Sequence, residues 1–165
     1  MTAYLGLGSN VGDRLLNLME AVHRLDRVPG IRVRKVSPVY ETVPVGGPEQ
    51  PDYLNAAVEI STSLKANGLL LNCLGIEDEM GRIRTVSMGP RVIDIDIELF
   101  DECIHHSDVL TVPHPRMHER AFILRPLADI APNIVHPVIG LTITELLARI
   151  DETGVRTYGL HIDDY

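Results

Sequence analysis

The chain has 165 residues, 45% of them hydrophobic and 23% charged, with a formal net charge of -8. That is the length of one ordinary domain with enough apolar material to close a core. The acidity argues against nucleic acid as the main partner, and no apolar run approaches the ~20 residues that span a bilayer.

The start, MTAYLGLGSN, lacks the basic opening and long apolar stretch of a signal peptide, so a cytoplasmic protein with no membrane partner is expected. Residues 3–8 read as a short buried strand, followed by a Ser9–Asn10 turn and Gly12. From Asp13, the residues Leu15, Leu18, Met19, Val22 and Leu25 recur at helical spacing, and Pro29–Gly30 stops the helix. Residues 31–43 alternate as a strand, with Pro38 pointing to an edge or a bulge. VPVGGPEQPD is a long loop rich in proline and glycine, of the kind that often holds binding residues.

Residues 53–64 (YLNAAVEISTSL) form the next strand. Leu69, Leu70, Cys73, Glu77 and Met80 mark one side of a second helix that ends at Gly81. RVIDIDIELF is the clearest strand of all. The order strand, helix, strand, strand, helix, strand predicts an α+β fold, a ferredoxin-like plait with an antiparallel sheet and helices on one face. From Asp101 onward short strands or loops are expected, then the proline-bracketed VPHPRMHERAF and a last helix near Thr144–Ile150. No repeat, low-complexity segment or linker interrupts the chain, so 1–165 is expected to be a single domain.

Alternate strand residues share a face about 7 Å apart. Ile93, Ile95, Ile97 and Leu99 are thus expected on one face, and Asp94, Asp96 and Glu98 on the other. Carboxylates crowded on one face repel, and aspartate is depleted in strands. Magnesium offsets that cost, since it takes one or two carboxylates plus substrate phosphates. A solvated acidic face would fit the strand alone. The flanking arginines favour the metal: Arg82, Arg84 and Arg91 stand upstream, and Arg116, Arg120 and Arg125 downstream. Guanidinium forks grip phosphate oxygens while a metal neutralises them.

Six segments together resemble one family: YLGLGSNVGDR, SPVYETVPVG, QPDYLNAAVEI, IEDEMGRIR, GPRVIDIDIELF and LTVPHPRMHERAFILRPL. The chain is similar, essentially end to end, to the hydroxymethyl-dihydropterin pyrophosphokinases of folate biosynthesis. The resemblance implies an enzyme that transfers the terminal diphosphate of ATP to 6-hydroxymethyl-7,8-dihydropterin and releases AMP; a monomer is expected. It also implies two magnesium ions (Mg2+) on Asp94 and Asp96, with ATP as co-substrate. Arg82 and Arg91 match catalytic arginines, and Arg84 a more mobile one. Glu77, Arg84, Arg91, Thr111, His114 and Arg120 match nucleotide contacts. Thr42, Val43, Val45, Gly46, Tyr53, Asn55 and Phe122 match the pterin pocket, with Tyr53 and Phe122 on either side of the ring. With two phenylalanines, five tyrosines and no tryptophan in the chain, stacking candidates are scarce. Asn55 can donate and accept at once, which suits the mixed edge of a pterin.

Three positions depart from the family pattern. Thr85–Val86–Ser87–Met88 lacks the tryptophan and extra basic residue common before GPR, leaving Met88 to cover the pterin by softer contact. Val92 replaces a common threonine. Glu98 stands where the family usually has an apolar residue, and no ligand role is assigned to it. The expected step is in-line attack of the pterin hydroxyl on the β-phosphorus, with Asp96 a candidate to take the proton. The alternatives are a non-catalytic pterin- or nucleotide-binding homologue and another magnesium-dependent phosphotransferase.

The remaining features have plainer readings. Cys73 and Cys103 form no CxxC and are expected as reduced, mostly buried thiols. His114 and His118 lack a cysteine pair that would suggest zinc, so one faces phosphate and one is structural. His105–His106 is expected in a solvated polar turn. Gly6, Gly8 and Gly12 read as a tight strand-to-helix turn, because no GKS or GKT follows. Leu69–Leu71 are expected in the core, and Arg125 has no assigned role.

Overall fold

The computed structural model describes residues 1–81 and 89–162. Strand β1 (Thr2–Ser9) leads through Gly12, at a φ of 72°, into helix α1 (Arg14–Arg27). Asp13 caps that helix, its carboxylate accepting from the Leu16 N–H at 3.1 Å. Leu18, Ala21, Val22 and Leu25 are buried along one side. Each buried leucine there contributes roughly 1.5–3 kcal/mol.

The expected strand over 31–43 is two strands, β2 (Ile31–Val36) and β3 (Pro38–Thr42). Ser37 breaks them yet stays bonded to the sheet. Its N–H donates to the Ala57 carbonyl and its hydroxyl accepts from the Ala57 N–H. Pro38, which has no N–H to give, opens β3 at the resulting irregularity, so the bulge reading of that proline holds and the edge reading does not. Strand β4 (Tyr53–Thr62), helix α2 (Ala66–Glu79) and strand β5 (Asp94–Phe100) follow.

The sheet runs β5-β1-β4-β3, and β2 also pairs with β4. Every pairing is antiparallel. Counting β2 and β3 as one broken strand gives the expected ferredoxin-like plait. Two departures come from the last third of the chain. After two short strands, β6 (His105–His106) and β7 (Thr111–Val112), and a single 3-10 turn at Met117–Glu119, helix α3 (Ala121–Ile130) forms where only short strands or loops were expected. Helix α4 (Ile143–Leu147), capped by Thr142 and Glu145, is shorter than the expected 144–150. Strand β8 (Val155–His161) then adds to the far side of β3.

Helices therefore cover both faces of the sheet, not one. Helices α1 and α2 pack with Leu5, Leu7, Leu54, Val58, Ile60, Ile95 and Ile97. Helices α3 and α4 pack with Tyr4, Ala57 and Leu99. Leu99 is on the second face because β5 is bulged. Leu5 stands opposite Ile97 and Tyr4 opposite Leu99, leaving Glu98 as the extra residue. Simple alternation had placed Leu99 with the isoleucines.

Among the described residues, β2 pairs on one side only, and Arg32, Arg34 and Lys35 are exposed along it. No helix among the described residues is long and apolar enough to cross a membrane. Cys73 is buried as expected, but Cys103 is exposed. His105 and His106 lie in β6, the first half-buried and the second exposed. Of Leu69–Leu71, Leu69 is fully buried while Leu71 faces solvent.

Candidate active site

The second face of the sheet is not fully covered by α3. Beside that helix opens a cavity of about 290 Å³, with β1, β4 and β5 as its floor. Gly6 and Gly8 make the floor possible; they lie within β1, not in the turn expected from their spacing. In register, Gly8 stands between Asn55 and Asp94, and Gly6 between Ala57 and Asp96. A Cβ on Gly8 would meet the Asn55 amide nitrogen at 2.9 Å, and one on Gly6 would meet Glu98 Oε1 at 2.9 Å. Glycine at alternate positions of a strand lets polar side chains from both neighbours lean over it.

On the β5 side the cavity is lined by Asp94, Asp96 and Glu98. Arg91 Nη1 donates to Asp94 Oδ1 at 3.1 Å. Burial raises the Asp96 carboxyl to about 7, helped by Asp94 and Glu77 and opposed by Arg91 and Arg120. Glu98 is raised well above the carboxylate range, by burial first and then by Asp96. Glu77, also buried, accepts the Ile95 N–H at 2.8 Å and so stands under β5 without lining the cavity.

His114 and Arg120 close the cavity from the segment after β7. The His114 N–H donates to the Glu98 carbonyl at 2.9 Å, and Nδ1 accepts from the Arg116 N–H at 3.3 Å. Nε2 is then the nitrogen left for a ligand. Burial and Arg120 hold this imidazole below the usual histidine range. His118 stays outside the lining and sits 3.7 Å from Glu119. Arg125 pairs with Asp129 and Glu152.

At the other end are Tyr53 and Phe122, with Arg120 stacked 5.5 Å from the Phe122 ring centre. Thr42 and Asn55 line the cavity with them. Thr42 Oγ1 donates to Asn55 Oδ1 at 2.5 Å, and Asn55 Nδ2 donates to the Leu7 carbonyl at 3.3 Å. The amide is thereby fixed in one orientation, keeping one N–H and one oxygen lone pair for a ligand. Val43 and Val45 line this end and are otherwise exposed.

The loop between β3 and β4 is held at its base by charge. Arg14 Nη1 and Arg156 Nη2 each donate to Glu41 at 2.7 Å, and Arg156 also reaches Asp52 at 2.8 Å. The Arg14 hydrogen bond leads in holding Glu41 below its ordinary range.

The structure thus brings together Thr42, Val43, Val45, Tyr53, Asn55, Arg91, Asp94, Asp96, His114, Arg120 and Phe122. It does not bring Gly46, Glu77 or Thr111 to the lining, and Thr111 instead bonds His106 Nδ1 at 3.0 Å. Arg82, Arg84 and Met88 lie outside the described residues. Sequence reasoning missed Gly6, Gly8 and Gln50 as lining, and Asn10 as the residue that ties the loops together. The period-two glycines of β1 were the available signal.

Among the described residues no group of three or more His, Cys, Asp or Glu is arranged to hold a metal. Asp94 and Asp96 supply two oxygen donors on one face. That fits magnesium, which completes its shell with water and ligand phosphates, better than a cation needing an all-protein cage.

One cavity lined by two aspartates and Arg91, by a pair of aromatic rings with Arg120 stacked on one of them, and by a fixed amide has the make-up of a small-molecule site. The chain belongs to the 7,8-dihydro-6-hydroxymethylpterin-pyrophosphokinase (HPPK) family, whose model matches residues 4–132. It is 48% identical to the 2-amino-4-hydroxy-6-hydroxymethyldihydropteridine pyrophosphokinase of Methylorubrum extorquens, over 93% of this chain and 96% of that one. It is 44% identical to the folic acid synthesis protein fol1 of Schizosaccharomyces pombe, over 94% of this chain but only 21% of that protein. The chain therefore spans about a fifth of that longer relative and nearly all of the bacterial one. The crystal structure of wild-type Plasmodium falciparum HPPK-DHPS shares the fold, with a TM-score of 0.73 at 19% identity, covering 90% of this chain and 44% of that one.

Proposed function

We propose that this chain, acting as one domain and as a monomer, transfers the terminal diphosphate of ATP to 6-hydroxymethyl-7,8-dihydropterin. The products are the pterin diphosphate and AMP, in the service of folate synthesis. The observation that supports this most is one cavity with Asp94, Asp96 and Arg91 at one end and Thr42, Asn55, Tyr53 and Phe122 at the other. The distance a hydroxymethyl arm would have to reach is the width of one strand, because β1 alone stands between β4 and β5 and Gly8 pairs with both Asn55 and Asp94.

In this reading Tyr53 and Phe122 sandwich the pterin, and the fixed Asn55 amide with Thr42 reads its polar edge. Val43, Val45 and Gly46 cover it from the loop. Asp94 and Asp96 would hold two magnesium ions with the nucleotide, and metal bound there neutralises the triphosphate. Arg91, His114 and Arg120 grip phosphate oxygens, and Arg91 and Arg120 offset charge gathering on the transferred group. Arg82 and Arg84, by family resemblance, add to that grip, and Thr111 and Glu77 belong to the nucleotide side. Helix α3 and the β3–β4 loop exclude water while the hydroxyl is held in line with the β-phosphorus.

The test is product identity. Protein given ATP, Mg2+ and 6-hydroxymethyl-7,8-dihydropterin is expected to release AMP in step with pterin diphosphate, followed by anion-exchange chromatography. Release of ADP, or pterin binding without AMP, would sink the proposal.

A further inference from the structure

Glu98 is only 1% exposed, and neither of its carboxyl oxygens has a hydrogen-bond partner. A buried carboxyl left unbonded is destabilising, and an apolar side chain of similar volume would fit the core without that cost. The fold nevertheless makes a place for it. The β5 bulge inserts Glu98 as an extra residue, and Gly6 leaves empty the volume that a Cβ would occupy 2.9 Å from Oε1. The side chain lines the same cavity as Thr42, Asn55 and Phe122, with Ala57, Ile123 and Leu127 as further lining.

The surroundings narrow what could bond to it. In the proposed function the triphosphate is met through metal on Asp94 and Asp96, and Glu98, outside that pair, would add only a further oxygen facing its phosphate oxygens. A metal shared with the two aspartates is disfavoured, because no such three-residue group exists among the described residues. Arg120, whose Nε is likewise buried and unbonded, is the nearby cation, yet it makes no ion pair with Glu98. A neutral ring bearing N–H groups, bounded by apolar walls, satisfies a lone carboxyl without these conflicts.

We propose that Glu98 is a further pterin-binding residue, its carboxyl hydrogen-bonded to a nitrogen-bound hydrogen of the ring. The assignment rests on the pterin reading of the cavity and adds a contact at a position where an apolar side chain is the usual family choice. Asn55 and Thr42 hold one part of the ring, and Glu98 meets another from the β5 side of Gly6.

The experiment is calorimetry on wild type, Glu98→Gln and Glu98→Leu. The probes are 6-hydroxymethyl-7,8-dihydropterin, titrated with a non-hydrolysable ATP analogue and Mg2+ present, and the analogue alone. Glu98→Leu is expected to weaken pterin binding about tenfold or more, with a smaller loss for Glu98→Gln. Affinity for the ATP analogue should stay within about twofold. The ligand-free Leu variant should melt at or above the wild-type temperature, and Glu98→Gln, nearly isosteric, decides the matter if Leu misfolds. Unchanged pterin affinity in both variants overturns the assignment, as does a loss confined to the ATP analogue, which would make Glu98 a positioning residue for Arg120. Failure of the wild type to bind the pterin at all overturns the pterin reading itself, and this assignment with it.

Discussion

Asn10 and Arg91, 81 residues apart, are joined by two hydrogen bonds: the Asn10 N–H donates to the Arg91 carbonyl at 3.0 Å, and the Arg91 N–H donates to Asn10 Oδ1 at 2.8 Å. Asn10 Nδ2 also donates to Gln50 Oε1 and the Pro51 carbonyl. One small amide thus fixes the end of β1, the approach to β5 and the end of the β3–β4 loop relative to one another. Asn10→Ala is expected to cost about 1–3 kcal/mol in chemical denaturation, because the Arg91 N–H loses its acceptor. The KM values for pterin and nucleotide should both rise, since both ends of the cavity lose a common anchor.

Asp94→Asn and Asp96→Asn should each lower turnover by about 10²-fold or more while circular dichroism stays native. Asp96→Asn should not lower the melting temperature of the ligand-free protein, because a like-charge contact is removed, whereas Asp94→Asn also gives up the Arg91 ion pair. Near-normal activity in either variant would contradict the metal assignment.

Stability should respond to pH at Asp96 in a definite direction. Its carboxyl titrates at about 7 when folded, against an ordinary 3.8, so between those values the folded chain binds a proton that the unfolded chain does not. The contribution of Asp96 to stability therefore falls as pH rises through that window. Glu98 shifts the same way, in part through Asp96, so removing the Asp96 charge relaxes Glu98 as well and adds to the same trend. The stability advantage of Asp96→Asn over wild type should grow from pH 4 to pH 7 by on the order of 1–4 kcal/mol, then level off. Urea titrations at matched pH measure it; an advantage independent of pH would show that Asp96 is not held up by its surroundings.

Phe122→Ala should weaken pterin binding about tenfold or more, because the proposed sandwich with Tyr53 loses one of its two stacking faces. Nucleotide affinity should fall only a few-fold, from the lost Arg120 contact with the ring. Equal losses for both ligands would mean that the ring supports the nucleotide end instead.

Much of the plait was legible because its periodicities are regular: α1 shows a clean helical stripe, and β1, β4 and α2 fall within a few residues of their expected spans. The misses have local causes. Pro126 and the flanking prolines kept α3 from reading as a helix, although Ile123, Leu124 and Leu127 bury one side of it. In strand β8, residues 156–159 are exposed, and its sequence shows little apolar alternation. Leu99 was misplaced because a bulge is a property of two strands together, and the β5 sequence alone cannot reveal one. In the site, most of the side chains that line the cavity could be named from motifs. Asn10, Gly6 and Gly8 could not, since their work lies in hydrogen bonds and vacant volume that only the register creates.

The open side of β2 has a consequence for how the molecule behaves among its copies. An unpaired strand is a template for another extended chain, and flat apolar edges recruit one into aggregates. Here Arg32, Arg34 and Lys35 crowd that border with like charge. A second copy docking in register there would bring cation against cation. At the opposite end of the same broken strand, β8 occupies the border of β3 directly. One border is thus guarded by repulsion and the other by a strand of the chain itself, so neutralising Arg32 and Arg34 should raise the tendency to form fibrils without touching the site.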